Sequence, residues 1–169
     1  MTGPEFSRPV RLGVERREVT LEATAAERAA LARRFGILGI GALRATLRLE
    51  PEPGGTVRTR GTLSAEVEQA CIVTLEPVMQ RVQAPIDLRI LDEGEVPGDD
   101  DPESPDEIES QGGLVDLGEA VAEQLALALD PYPRTPGATL PNLDDETETG
   151  EDAPARPNPF AALGKLRQG

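Results

Sequence analysis

Strict alternation in the middle of this chain limits the fold more than any other feature. In ALRATLRLE, Ala42 to Glu50, the apolar residues Leu43, Ala45, Leu47 and Leu49 take every second position, with Arg44, Thr46 and Arg48 between them. Successive side chains of a strand point to opposite faces, so the spacing predicts a strand with one buried and one wet face. PEPGG, Pro51 to Gly55, is a turn cluster. TVRTRGTLSAEVEQACIV then resumes the alternation, with Val57, Leu63, Ala65 and Val67 inward and Arg58, Arg60, Ser64, Glu66 and Glu68 outward. Two such arms about a turn make a hairpin. Gly61, inside the second arm, predicts a bulge or bend.

The flanking segments supply what such a hairpin needs for cover. Phe6 to Glu15 reads as a lead-in and a short strand, with Val10, Leu12 and Val14 on one face, and Glu18 to Glu22 as another strand with Val19 and Leu21 inward. In TAAERAALARRFG, Thr24 and Glu27 have the spacing of a capping box, and Gly36 suits the left-handed residue that closes a helix. A short helix over Ala25 to Phe35 follows. Its apolar face is Ala26, Ala30, Leu31 and Phe35, and Arg28, Arg33 and Arg34 face solvent. Thr74 to Leu91 predicts two further strands broken by Pro77 and Pro85. A second, longer helix starts after Asp116, whose carboxylate is placed to cap the N–H of Glu119 while Glu119 reaches back. Leu117, Val121, Leu125 and Leu129 form its buried stripe, with Leu114 one turn earlier. Pro131 and Pro133 stop it near Asp130.

Composition narrows the chemistry. The chain has no His and one Cys, which excludes Ser-His-Asp and Cys-His arrangements, His metal ligands and an internal disulfide. GILGIGA, Gly36 to Ala42, lacks the spacing and preceding strand of a phosphate loop and reads as a helix cap and bend. Cys71 has no positive neighbour along the chain and reads as a buried structural thiol. The acids around Asp99, Asp100 and Asp101 lack the ligand order of a calcium loop and read as a solvated charge run. No cofactor and no enzymatic activity are expected. No apolar run approaches the roughly 18 residues of a membrane span, and no signal-type segment opens the sequence, so the expected location is the cytoplasm.

Charge divides the chain in two. Met1 to Leu91 carries 13 Arg against 11 acids, net +2, whereas Asp92 to Gly169 carries 4 basic residues against 20 acids, net −16. Asp92 to Ser110 is acidic and rich in Pro and Gly, and is expected to be a mobile loop (92–110) inside the domain. The segment after Arg134 (135–169) is expected to be a disordered tail. It ends in NPFAALGKLRQG, where Phe160, Leu163 and Leu166 form a short amphipathic stripe suited to folding on a partner. The outward hairpin face presents Arg44, Arg48, Arg58 and Arg60. With no aromatic residue interleaved, these suit phosphate contacts on RNA and not base stacking. Tyr132 and Arg134, beyond the helix stop, are the other candidate partner-binding residues.

Three stretches carry a family resemblance: QACIVTLEPV (Gln69 to Val78), VDLGEAVAEQLALALDPYPR (Val115 to Arg134) and NPFAALGKL (Asn158 to Leu166). Together they resemble the bacterial YceD-like family, the large ribosomal RNA subunit accumulation proteins. Many members have Cys-x-x-Cys where this chain has Cys71 to Thr74; with Thr74 as the second residue, the pair has no metal or redox role here. The resemblance implies a non-enzymatic factor supporting synthesis, processing or stability of large-subunit ribosomal RNA. Its partner would be that RNA or a pre-ribosomal particle, or alternatively ribosomal proteins or assembly factors without RNA contact. Neither a membrane nor DNA is expected as partner. The expected fold is one α+β domain over residues 6–134: a curved antiparallel sheet packed against one short and one longer helix.

Overall fold

The computed structural model describes residues 4–98 and 101–140. All its elements lie in the unit Met1–Ala138. In chain order they are β1 (Pro9–Arg11), β2 (Arg17–Glu22), α1 (Ala25–Phe35), β3 (Gly39–Pro51), β4 (Val57–Ala70), β5 (Pro77–Leu91), β6 (Asp106–Glu109), β7 (Leu114–Asp116) and α2 (Leu117–Ala128). Strands β2-β3-β4-β5-β6 form one sheet in that order, and β1 pairs with β7 in a separate two-stranded ribbon. The class is α+β, as the alternation and the two helix patterns predict.

The hairpin forms as its sequence dictates. β3 and β4 run antiparallel from Pro51↔Val57 to Gly39↔Glu68, and Leu43, Ala45, Leu47, Leu49, Val57, Leu63, Ala65 and Val67 are all buried. Removing each of the larger of these side chains from water contributes about 1.5–3 kcal/mol, so a slip by one residue, which would turn the whole row to solvent, is strongly disfavoured. The irregularity falls elsewhere than expected. Pairing is continuous through Gly61, and the register shift lies between Ile40 and Ala42, at Gly41. Gly61 is instead a point of close backbone approach: a Cβ there would lie 1.9 Å from the Thr46 carbonyl oxygen.

β5 is one strand and not two. Its pairing with β4 runs unbroken from Ala70↔Pro77 to Val57↔Ile90, with Pro85 opposite Thr62. β6 covers β5 only from Leu88 onward, so Pro77 and Pro85 lie where β5 is an edge strand, the place where proline is tolerated in a sheet. β6 is itself a departure. It emerges from the end of the segment expected to be a mobile loop, and it runs parallel to β5, so the sheet is not wholly antiparallel. Its anchors are the Ser110 N–H and hydroxyl, which donate to the Leu91 carbonyl at 3.0 and 2.8 Å, and Ile108, which packs against the core. Val14 also departs from expectation: it is 94% exposed, because β1 ends at Arg11.

Both helices start as their sequences require. The Thr24 hydroxyl accepts from Glu27 N–H and the Glu27 carboxylate accepts from Thr24 N–H at 2.7 Å, and Gly36 closes α1 in the left-handed region at φ 66°. Leu31 and Ala32 face the core, whereas Ala26 is exposed. At α2 only half of the expected reciprocal cap is present. Asp116 accepts from Glu119 N–H at 3.1 Å, but the Glu119 side chain turns to Arg34, whose guanidinium donates to both of its oxygens at 3.0 and 2.7 Å. Leu117, Val121 and Leu125 are buried as the stripe predicts; Leu114 lies in β7 and is 40% exposed.

The N-terminal segment straps the helices together. Phe6 is fully buried, Ser7 Oγ and Arg8 N–H donate to Asp116 at 2.5 and 2.8 Å, and Arg8 forms a two-point pair with Glu27 at 2.7 and 2.9 Å while its guanidinium stacks 4.7 Å from the Phe6 ring. The hydrogen bond from Arg8 holds the Glu27 carboxyl down at about 2, from an ordinary value of 4.5. A carboxylate depressed in the folded state stabilises it above the unfolded pKa. Stability is therefore fully present above about pH 4.5 and is lost progressively as pH falls toward 2. Urea midpoints taken across that range should fall less steeply for Glu27→Gln than for the parent; parallel curves would remove Arg8–Glu27 from the acid response.

Candidate nucleic-acid interface

Period-two alternation on adjacent strands gathers Arg44, Arg48, Arg58 and Arg60 on one sheet face. Arg48 stands directly opposite Arg60, and Arg58 opposite Glu50. The same register brings in neighbours that the hairpin sequence does not contain. β2 places Glu22 beside Arg44 and Glu18 beside Arg48, and β5 places Asp87 beside Arg60 and Arg89 beside Arg58.

The four arginines are consequently not equivalent. Arg58 is locked: its Nε and Nη2 donate to the two oxygens of Asp87 at 2.6 and 2.7 Å, and its side chain is only 17% exposed. This pairing raises the Arg58 pKa and lowers that of Asp87. Arg48 and Arg60 are loose. Each lies 3.9 Å from a carboxylate, Glu18 and Asp87 respectively, with side chains 66% and 59% exposed. Arg44 makes no ion pair among the described residues and is exposed. Between these groups lies a shallow hollow of about 410 Å³ lined by Glu18, Thr46, Arg48, Glu50, Arg60, Gly61 and Thr62. Farther along the face Arg81 meets Glu66 at 3.3 Å and Arg89 meets Glu52 at 3.3 Å. The face thus carries both signs. Exposed pairs at such distances are worth only about 0–1 kcal/mol, so Arg48 and Arg60 can exchange a carboxylate for a phosphate at small cost, whereas Arg58 cannot.

The second candidate region is built by convergence of two of the quoted motifs. After α2 the chain runs across the β4–β5 turn. Gln69 donates to the Asp130 carbonyl at 2.9 Å, Gln80 to the Asp130 carboxylate at 3.3 Å, and Ile72 N–H to the Pro133 carbonyl at 2.9 Å. Pro133 is buried by this docking, and Tyr132 and Arg134 on either side of it are exposed. Leu75 in the same turn has a left-handed φ of 62° and is 77% exposed. Cys71 is fully buried, as its sequence context predicts. Its sulfur accepts from Thr74 N–H at 3.5 Å and Thr135 N–H at 3.4 Å; contacts with Thr74 first, then the Thr135 N–H, bring the thiol down to about 6 against the opposing effect of burial. Phe160, Leu163 and Leu166 lie outside the described residues.

Sequence reasoning missed the glutamine latches and the Arg34 bridge from Glu119 to Glu5, the latter at 3.2 Å. Gln69 alone carried a signal, as a polar residue at an inward position of β4. Glu119, expected to reach back to Asp116, is engaged by Arg34 instead. Among the described residues no group of three or more His, Cys, Asp or Glu side chains is placed to hold a metal ion, and no described helix is long and apolar enough to cross a membrane.

No curated protein and no solved structure matches the chain. A family model does match, over residues 59–167, a span that starts within β4 and takes in the β4–β5 turn, β6, β7, α2 and the segment docked across the turn. On that match, across more than half of its length, the chain belongs to the YceD family, described as large ribosomal RNA subunit accumulation protein YceD.

Proposed function

We propose that the protein is a non-enzymatic ribosome biogenesis factor that supports synthesis, processing or stability of large-subunit ribosomal RNA by binding that RNA or a pre-ribosomal particle. The family match carries the reading. The outer sheet face supplies a means: Arg44, Arg48 and Arg60 are exposed and loosely held, and phosphate contacts need no aromatic platform. Arg58 serves the face by fixing Asp87 and stays with its carboxylate. Binding through so few cations depends on shape and is sensitive to salt.

The test is crosslinking and affinity measurement with large-subunit precursor RNA. Reversing Arg44, Arg48 and Arg60 to Glu should weaken binding by about tenfold or more and lower the slope of log affinity against log salt by about 2. Unchanged binding removes the face from RNA contact, and absence of precursor RNA enrichment removes the reading.

One observation favours a second reading, an adaptor for ribosomal proteins or assembly factors that does not touch RNA. The arginines are matched by Glu18, Glu22, Glu50, Glu66 and Asp87 on neighbouring strands, so the face is not a one-signed field. Tyr132, Arg134 and the stripe Phe160, Leu163 and Leu166 are then the partner-binding residues. Alanine at Tyr132 and Arg134, or deletion of 158–169, would abolish that capture while charge reversal on the sheet would not.

A further inference from the structure

A groove of about 460 Å³ lies between α2, the β1–β7 ribbon and the last strand of the sheet. Ile108, Leu114 and Ala120 supply apolar contact, and Glu109, Asp116, Glu119 and Glu123 supply carboxylates, with no Lys or Arg in the lining. Two of the four acids are spent inside the fold. Asp116 accepts from Ser7, Arg8 N–H and Glu119 N–H, and Glu119 is paired with Arg34. Glu109, from β6, and Glu123, from α2, are exposed and make no hydrogen bond or ion pair among the described residues. Two unspent carboxylates therefore border one apolar floor. Among the described residues β6 also ends the sheet, and one row of its backbone N–H and C=O groups has no strand partner there. An open edge beside a groove is the arrangement that accepts an added peptide strand.

We infer that this groove binds a cationic peptide segment in which lysine or arginine flanks an apolar anchor. The anchor enters the floor of Ile108, Leu114 and Ala120, and its flanking cations meet Glu109 and Glu123. Charge selects the occupant. RNA phosphate is repelled by the lining, and a second copy of this chain brings a net charge of −14 to a groove that is already anionic. Proteins that coat RNA are cationic for the same electrostatic reason, and on the ribosome-biogenesis reading proposed above, on which this choice of partner rests, such segments surround the protein. The groove is distinct from the arginine face, and the inference holds whether or not that face meets RNA.

The experiment uses the full chain and fluorescence anisotropy with two labelled probes, an oligopeptide alternating lysine with leucine and oligolysine of equal length. The alternating peptide should bind about tenfold more tightly than oligolysine. Glu109→Gln with Glu123→Gln should weaken it by about tenfold and flatten its salt dependence. Because neither side chain holds the fold together, thermal melting of this double variant should match the parent. Leu114→Ser should weaken the alternating peptide and leave oligolysine unchanged. Equal binding of the two probes overturns the inference by assigning the affinity to overall negative charge, and so does full binding by the double glutamine variant. Labelled precursor RNA in the same assay separates the two sites: the double variant should bind it as the parent does.

Discussion

Gly61→Ala should be among the most damaging single substitutions in this chain, costing about 3 kcal/mol or more and lowering the melting temperature by about 10 °C or more. β4 is a central strand, and Gly61 stands between Leu47 of β3 and Ile86 of β5, both buried. A methyl group there would lie 1.9 Å from the Thr46 carbonyl oxygen, 2.9 Å from its carbon and 3.0 Å from Leu47 Cα. All three are backbone atoms, so no side-chain rotation relieves the clash. The β3 and β4 backbones must separate, and ladder hydrogen bonds on either side weaken together. Gly41→Ala is the internal control. Its nearest neighbours for an added Cβ are at 3.7 Å, an ordinary contact, and its position is exposed. Alanine there should change stability by no more than about 0.5 kcal/mol. Melting temperatures for the two variants that fell within about 2 °C of each other would refute the close-approach account.

Gly118→Ala inverts an ordinary expectation. Within a helix, alanine is favoured over glycine by up to about 1 kcal/mol. Here the added Cβ would meet the Phe6 carbonyl oxygen at 2.5 Å and the Arg8 nitrogen at 2.8 Å. Gly118 lies in the first turn of α2, where the N-terminal strap crosses it. Making room displaces the strap and disturbs the buried Phe6, the contacts from Ser7 and Arg8 to Asp116, and the Leu117 N–H donated to the Arg8 carbonyl at 3.1 Å. The expected loss is about 2–3 kcal/mol. It should first show as faster amide exchange in β1 and β7, with β3 and β4 protected until global unfolding. A variant as stable as the parent, or more stable, would mean that the strap yields without consequence.

What the sequence disclosed and what it withheld follow a physical line. The α1 caps were legible because Thr24, Glu27 and Gly36 act on backbone within a turn of themselves. The β3 and β4 faces were legible because their pattern repeats often enough to leave one register. Pro85 misled, because whether a proline breaks a strand depends on whether a neighbour needs its N–H, and that is settled by how far β6 extends. β6 was hidden because DEIE has a single apolar residue; its place is fixed by Ser110 and Leu91. The arginine face was legible as a set of positions and illegible as an electrostatic object. Glu18 and Asp87 come from strands outside the hairpin, and only the register shows that Asp87 locks Arg58 while Arg48 and Arg60 stay loosely held. Gln69 stood out only as a polar residue at an inward position of β4, which implies a buried partner without naming it, and nothing local distinguishes Gln80 from a glutamine that will find water.

The ribbon of β1 and β7 sets an order on the making of the molecule. Val10 pairs with Val115, so the first of the described strands to leave a ribosome waits for the last of them. At about 5–20 residues per second, β1 and the Phe6 side chain remain without a docking site for several seconds after they emerge. The β3–β4 hairpin and its pairing with β5 can be complete before that, since each joins neighbours in the chain. Folding should therefore close from the middle outward, with the strap, α2 and the groove assembled in one late step. During synthesis the acid-lined groove does not yet exist, and any cationic segment that needs it has to wait for a finished chain.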